Sequence, residues 1–278
     1  MKIFYRPEQT ALKNADCMSP SAQKPAQVVA SWLSLHPTAD LIGFEPLTRT
    51  DLALAHDRNY VNGVLDLEIP NGFGNKLPEI ADSLLYTTGS FYAAACHAFT
   101  TKESAASPTS GFHHAGYDSG GGFCTFNGLM IAAQKLRQEQ GAASVGILDL
   151  DRHYGDGTDD ITWRLGLENY IVHYTFGGER ITQGNAEEWL QNLPGILDRF
   201  AACDVVLYQA GADPHVHDPL GGILTTEQLY ERDRIVFRTF LDLGVPVAWN
   251  LAGGYQKPLR KVLDIHDNTA RAFVAAFG

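Results

Sequence analysis

Short apolar runs alternate with longer amphipathic stretches along this chain of 278 residues. "KIFY" at the start, "ADLIGFEPL" from 39, "ASVGILDLD" from 143, "YIVHYTF" from 170, "DVVLYQAGAD" from 204 and "VPVAWNLAGGY" from 245 are mostly apolar on both faces. A strand of that kind needs cover on both sides, so these runs predict a largely parallel sheet between two layers of helices. The stretches "KLPEIADSLLYTTGSFYAAACHAF", "NGLMIAAQKLRQEQG", "AEEWLQNLPGILDRFAAC" and "TTEQLYERDRIVFRTFLDLG" read as helices. The last opens on a capping box, Thr225 to Gln228, and stops at Gly244. Pro194 predicts a break in the third, or two shorter helices. Strands and helices alternate without repeats or a linker. The expected fold class is therefore α/β, one three-layer α/β/α domain over residues 1–278 with a mainly parallel central sheet.

In such sheets ligands bind where the carboxyl ends of strands lead into loops. Those ends carry the chemistry here: Asp149, Asp151 and His153 after one strand, Asp213 after another, Gly253-Gly254-Tyr255 after a third. "DLDRH" alternates Asp149, Asp151 and His153, so extended backbone points all three the same way. Gathering several acids costs free energy unless a cation or hydrogen-bond donors compensate. Taken alone, the segment could equally cap the next helix. Asp151, His153 and Asp213 together would give zinc three N/O ligands and an open position. His215 and His217 in "ADPHVHDPLGG" are alternative ligands, and the donor set also suits other divalent ions.

"GFHHAGYDSGGGFCTFNG", from 111, places His113 and His114 side by side in a glycine-rich loop. Paired imidazoles near acids suit proton transfer by one ring, tuned by its carboxylate. The loop lacks the Gly-Lys-Ser/Thr ending of a phosphate cradle. Tyr255 in "LAGGY" could donate to a developing oxyanion.

Composition narrows the partners. A formal net charge of -11 argues against nucleic acid, which needs a basic face, and mildly favours cationic substrates. Cys17, Cys96, Cys124 and Cys203 form no C-x-x-C pair, which argues against a thiolate zinc site and a disulfide framework. "MKIFYRPEQT" has no extended apolar region of a secretory signal, and no apolar run approaches the roughly 20 residues of a membrane helix. The expectation is a cytoplasmic protein with no membrane partner.

In this order, "FHHA", "GGFCTFN", "DLDRHYGDGT", "AGADPHVHDPLGG" and "LAGGY" resemble the zinc-dependent histone deacetylase superfamily. That group includes acetylpolyamine amidohydrolases and bacterial class II-like deacetylases. "AHDRNYV" and the tail of the helix over 78–99 fit the same order. The resemblance implies an arginase/deacetylase-like fold and a catalytic Zn2+ held by Asp151, His153 and Asp213. It pairs Asp149 with His113 and Asp156 with His114, and implies that Asp149 helps hold a structural K+. His114 becomes the general base and Tyr255 the oxyanion donor. Gly122 and Phe123 match the acyl-lysine tunnel, with Phe176 and Leu220 as further wall candidates. Tyr154 stands where many relatives have a second histidine. Gln27 sits near the place of an early arginine, and "YIVHYTFGGE" departs from the usual segment near the cation.

The resemblance implies an amidohydrolase removing acetyl or another short acyl group from acylated lysine, with an acetylated polyamine or other small amine as the alternative substrate. An arginase-like hydrolase would need ligands for two manganese ions. A non-catalytic acyl-lysine binder would be expected to lack a ligand, the base or the tyrosine.

Overall fold

The computed structural model describes residues 1–13 and 17–278. Its strands are β1 (Lys2–Phe4), β2 (Asp40–Ile42), β3 (Ala105–Ser110), β4 (Val145–Asp149), β5 (Ile171–Thr175), β6 (Val205–Gly211) and β7 (Val247–Ala252). Every pairing is parallel, in the order β2-β1-β3-β7-β6-β4-β5. The helices are α1 (Lys24–Leu35), α2 (Arg49–Leu52), α3 (Arg58–Leu65), α4 (Pro78–Thr101), α5 (Gly128–Gln140), α6 (Asp156–Arg164), α7 (Ala186–Leu197), α8 (Thr226–Leu243) and α9 (Arg260–Phe277).

The layers follow from the strand period of two. Val206, Tyr208 and Ala210 of β6 join Trp32 of α1, Leu193 of α7, Phe237 of α8 and Phe273 of α9 in one core. Val205 and Leu207 of the same strand face Phe91 of α4, Leu129 of α5 and Ile161 of α6 in the other. The two cores, one on each face, make the predicted three layers.

Three details depart from the sequence pattern. β3 lies inside the sheet, between β1 and β7, although "AASPTS" has no apolar run and contains Pro108. Its pairing with β7 shifts register between Ser107 and Ser110, which accommodates the proline. Its buried hydroxyls satisfy one another: Ser107 Oγ lies 2.6 Å from Ser90 Oγ and 3.0 Å from Thr109 Oγ1. β2 is short because it is an exposed edge, followed by Gly43 and Pro46. Helix α7 runs through Pro194 instead of breaking there. The proline lies in the last turn, so its missing amide removes little of the helix, which then tightens into a 3-10 turn at Asp198–Phe200. The capping box of α8 forms as expected, with the Gln228 amide donating to Thr225 Oγ1 at 3.2 Å and the Thr225 amide to Gln228 Oε1 at 3.0 Å.

His56 clamps the loops beneath the future site. Its Nδ1–H donates to Gly116 O at 2.8 Å, and its Nε2 accepts the Asn127 amide at 2.8 Å. Both nitrogens are committed to the neutral ring, and burial pushes its pKa down to about 4. An unfolded histidine titrates near 6.5. Between these values the unfolded chain binds a proton that the folded one refuses. The His56 contribution is therefore intact above about pH 6.5 and is lost as pH falls toward 4. Stability should fall by about 2 kcal/mol from this group alone between pH 7 and pH 5. Urea unfolding at both pH values checks this, and His56→Gln should weaken the pH dependence. An equally steep decline in that variant would assign the effect elsewhere.

Candidate active site

Strands β3, β7, β6 and β4 are consecutive neighbours. Adjacent strands lie about 4.8 Å apart, so their carboxyl ends deliver residues 110–114, 252–255, 211–213 and 149–153 to one rim. The four motifs meet because of strand order.

Two His–Asp pairs stand there. His113 Nδ1–H donates to Asp149 Oδ2 at 2.6 Å, and both side chains are buried. His114 Nδ1–H donates to Asp156 Oδ1 at 2.6 Å, where the carboxylate is largely exposed. The two rings lie 4.1 Å apart between centroids. Burial opposes charge on His113, but Asp149 and Asp151 outweigh it and push its pKa up to about 9. His114 moves the other way, lowered first by burial and then by the charge of His113. At neutral pH one imidazole is a cation and its neighbour a free base.

Asp151, His153 and Asp213 form the next cluster, with one donor atom from each within 4.8 Å of the others. His153 Nδ1 lies 3.1 Å from Asp151 Oδ1 and 3.0 Å from Asp213 Oδ2. Burial and the charge of Asp151 push Asp213 up to about 7. The hydrogen bond to Asp151 and the closeness of Asp213 push His153 up to about 10. Asp213 Oδ2 is buried and aligned with no hydrogen-bond donor. Two buried carboxylates this close are costly unless positive charge lies between them. The N/O/O donor set fits a divalent ion with one position left open.

Glycines make two of the approaches possible. A Cβ on Gly253 would lie 2.3 Å from Asp213 Cγ, and one on Gly122 would lie 2.4 Å from His114 Cδ2. Both have positive φ, +52° and +53°. Phe123 follows at φ +67°, a region a phenylalanine rarely adopts. Its ring lies 5.7 Å from Tyr255 and 6.0 Å from Phe73. Burial, then Asp151 and Asp213, hold the Tyr255 hydroxyl protonated far above the usual range.

Several expectations are resolved by position. His215 turns away from the acid cluster: its ring bonds Thr226 Oγ1 at 2.9 Å and accepts the His217 amide at 3.1 Å. His217 is exposed, and neither joins the metal-binding group. Leu220 stands on the loop after Asp213, 37% exposed, where a rim residue would be. Phe176 is a correction: only 1% exposed, it packs edge-on against Trp189 at 4.7 Å inside the core and cannot line a tunnel. Tyr154 points to the surface, where its hydroxyl donates to Asp159.

Three buried polar residues escaped the sequence reading. Gln209 donates to Asp149 Oδ1 at 3.0 Å and accepts the Phe112 amide at 3.0 Å, fixing the acid and the chain before His113 together. A glutamine inside the apolar strand "DVVLYQAGAD" was the available signal. Arg232, fully buried on α8, donates through Nη1 to Leu150 O at 3.1 Å and Gly211 O at 2.7 Å. It braces the strand ends that carry Asp151 and Asp213, yet "ERDR" reads as a solvated charge run. Lys24, not the exposed Gln27, reaches inward from the early segment, and its Nζ donates to Gly253 O at 2.5 Å. Burial pushes its pKa down to about 8.

Comparison with known proteins shows the family and the fold. Histone deacetylase 10 of Oryza sativa subsp. japonica, a chloroplastic protein, is 27% identical over 83% of this chain and 62% of its own length. The acetylpolyamine amidohydrolase of Mycoplana ramosa is 30% identical over 52% of this chain and 50% of its own. The chain thus spans between half and two thirds of these relatives. The crystal structure of acetylpolyamine aminohydrolase from Burkholderia pseudomallei superposes with a TM-score of 0.75, covering the whole of both chains at 19% identity. At that identity the likeness speaks for the fold. Residues 19–175 match the histone deacetylase domain, which is more than half of the chain, and the protein belongs to that family.

Proposed function

We propose that this chain is a zinc-dependent amidohydrolase that removes acetyl or another short acyl group from an acylated lysine or related amine. The observation that carries this reading is the two His–Asp pairs, His113 with Asp149 and His114 with Asp156, standing beside the Asp151–His153–Asp213 donor set. Asp151, His153 and Asp213 would hold zinc, which when bound would supply Lewis-acid polarisation of the amide carbonyl and increase the acidity of water. His114 accepts the proton of the attacking water at Nε2, because its Nδ1–H is committed to Asp156. The same nitrogen then returns the proton to the leaving amine. The Tyr255 hydroxyl donates to the carbonyl oxygen as negative charge develops there. Asp149 holds the His113 ring in place against that of His114. Phe123 offers the apolar wall along the acyl-amine chain.

Among the described residues there is one such three-ligand group, which favours a one-metal hydrolase over an arginase-like two-metal site. A structural potassium ion would find oxygen donors beside Asp149, where the Thr175 hydroxyl lies 3.5 Å from the carboxylate. The relatives' names support both a small-amine substrate and a peptide, and the acidic chain suits either cation. Zinc-loaded protein should release acetate from an acetyl-lysine peptide, acetylputrescine or acetylspermidine. Turnover should vanish on chelation and return with zinc. A fully zinc-loaded protein inert toward all three would refute deacetylation. The ratio of kcat/KM between peptide and polyamine decides the substrate class.

A further inference from the structure

The turn that presents Tyr255 has little conformational preference of its own. Gly253 and Gly254 both lie in the left-handed region, at φ +52° and +90°, and glycine is the residue with most backbone freedom to lose. The Phe123 ring rests against the Tyr255 ring at 5.7 Å, a contact that limits tilt but not reach. What fixes the reach of Tyr255 is its main chain.

The Tyr255 amide donates to Asp218 Oδ2 at 2.7 Å. Asp218 Oδ1 accepts the Leu220 amide at 3.0 Å, and the Asp218 amide donates to His215 O at 2.9 Å. This carboxylate is only 6% exposed, and among the described residues no cationic side chain forms an ion pair with it. Its two oxygens are instead shared between two main-chain amides, one from each of two loops. The loop that carries Asp218 is itself pressed onto the metal-binding acid, since a Cβ on Gly221 would lie 1.7 Å from Asp213 O. One end of the link is fixed to Asp213 and the other holds Tyr255.

From this geometry we infer that Asp218 is a positioning residue that sets how far the Tyr255 hydroxyl stands from the carbonyl oxygen of the substrate. It does so by binding the Tyr255 amide to the loop that follows Asp213. The inference rests on the reading of Tyr255 as the oxyanion donor. Asp218→Asn keeps the shape of the side chain but turns an NH2 group toward one of the two amides, so one hydrogen bond is replaced by opposed donors. A displacement of about 1 Å at a catalytic group can cost about 10²-fold in rate.

The test is a double-mutant cycle on zinc-loaded protein with an acetyl-lysine peptide. Asp218→Asn should lower kcat by roughly 10- to 100-fold, with KM and zinc content little changed. Tyr255→Phe should lower kcat by about 10²–10³-fold. The double variant should be no slower than Tyr255→Phe alone, because a misplaced hydroxyl and a missing one are the same loss. Multiplying losses would overturn the inference and make Asp218 a general structural residue. Near-normal kcat in Asp218→Asn beside a slow Tyr255→Phe would overturn it while leaving the tyrosine's role standing. Near-normal kcat in Tyr255→Phe would remove both. If Asp218→Asn does not fold, Asp218→Ser, which retains one small acceptor, takes its place in the cycle. Failure of both to fold would overturn a purely positional role.

Discussion

Asp213→Ala should yield a folded protein that binds little zinc and turns over substrate at least about 10²-fold more slowly. That bound is conservative: removing a residue that merely orients a ligand already costs about 10–100-fold in metal affinity or activity. Asp213 is fully buried, and its Oδ2 is aimed into the donor cluster without a hydrogen bond of its own. Its other oxygen accepts the Arg152 amide at 3.1 Å. The substitution therefore removes a donor to the metal and leaves one amide unpaired, which costs about 1–3 kcal/mol. It also relieves the repulsion from Asp151 that raises the Asp213 pKa, so these effects on folding partly offset each other. Zinc content by elemental analysis, circular dichroism and turnover, measured on one preparation, separate loss of metal from loss of fold. A variant that keeps full zinc occupancy and turnover would show that the ligands lie elsewhere.

His114→Ala should retain its zinc and lose about 10²–10⁴-fold in kcat, the usual contribution of a general acid–base group. His114 is not among the three metal-binding residues, so metal content separates this variant from Asp213→Ala. Its ring lies 5.9 Å from that of His153 and is fixed by the bond to Asp156. Neutrality is the property that matters. Burial and the adjacent His113 charge lower its pKa, so the base form persists at neutral pH. His113 is tied to Asp149 and carries charge there, which makes it a poor substitute base. If His114→Ala retains near-normal turnover while His113→Ala does not, the assignments of the two rings are reversed.

The division of labour between the rings was open in the bare pattern "FHHA". Two adjacent histidines differ by nothing local, and the resemblance supplied their partners. The structure adds that one sits in a closed, acid-lined place and the other near solvent. The same limit applied to "ADPHVHDP", where Asp213, His215 and His217 were all possible ligands by type. Direction decided: Asp213 faces Asp151 and His153, His215 faces Thr226, and Asp218 faces the Tyr255 amide. Residue type and spacing cannot express direction once a chain leaves regular strand geometry.

By itself the sequence determined what depends on neighbours along the chain. Apolar runs covered on both faces determined β4, β6 and β7, the capping box determined where α8 begins, and "DLDRH" marked an acid-rich strand end, whose Asp149 pairs with His113 while Asp151 and His153 join Asp213. Only the tertiary structure decided which strands would be adjacent. It set β3, made of small residues, inside the sheet between β1 and β7, where Ser90, Ser107 and Thr109 satisfy their hydroxyls mutually. It also turned Arg232, Lys24 and Gln209 inward, although two of them read as surface charges. A buried polar group is stable only when partners from distant segments meet it. Asp149, Leu150 and Gly253 lie 60, 82 and 229 positions from Gln209, Arg232 and Lys24, so no local pattern records these contacts.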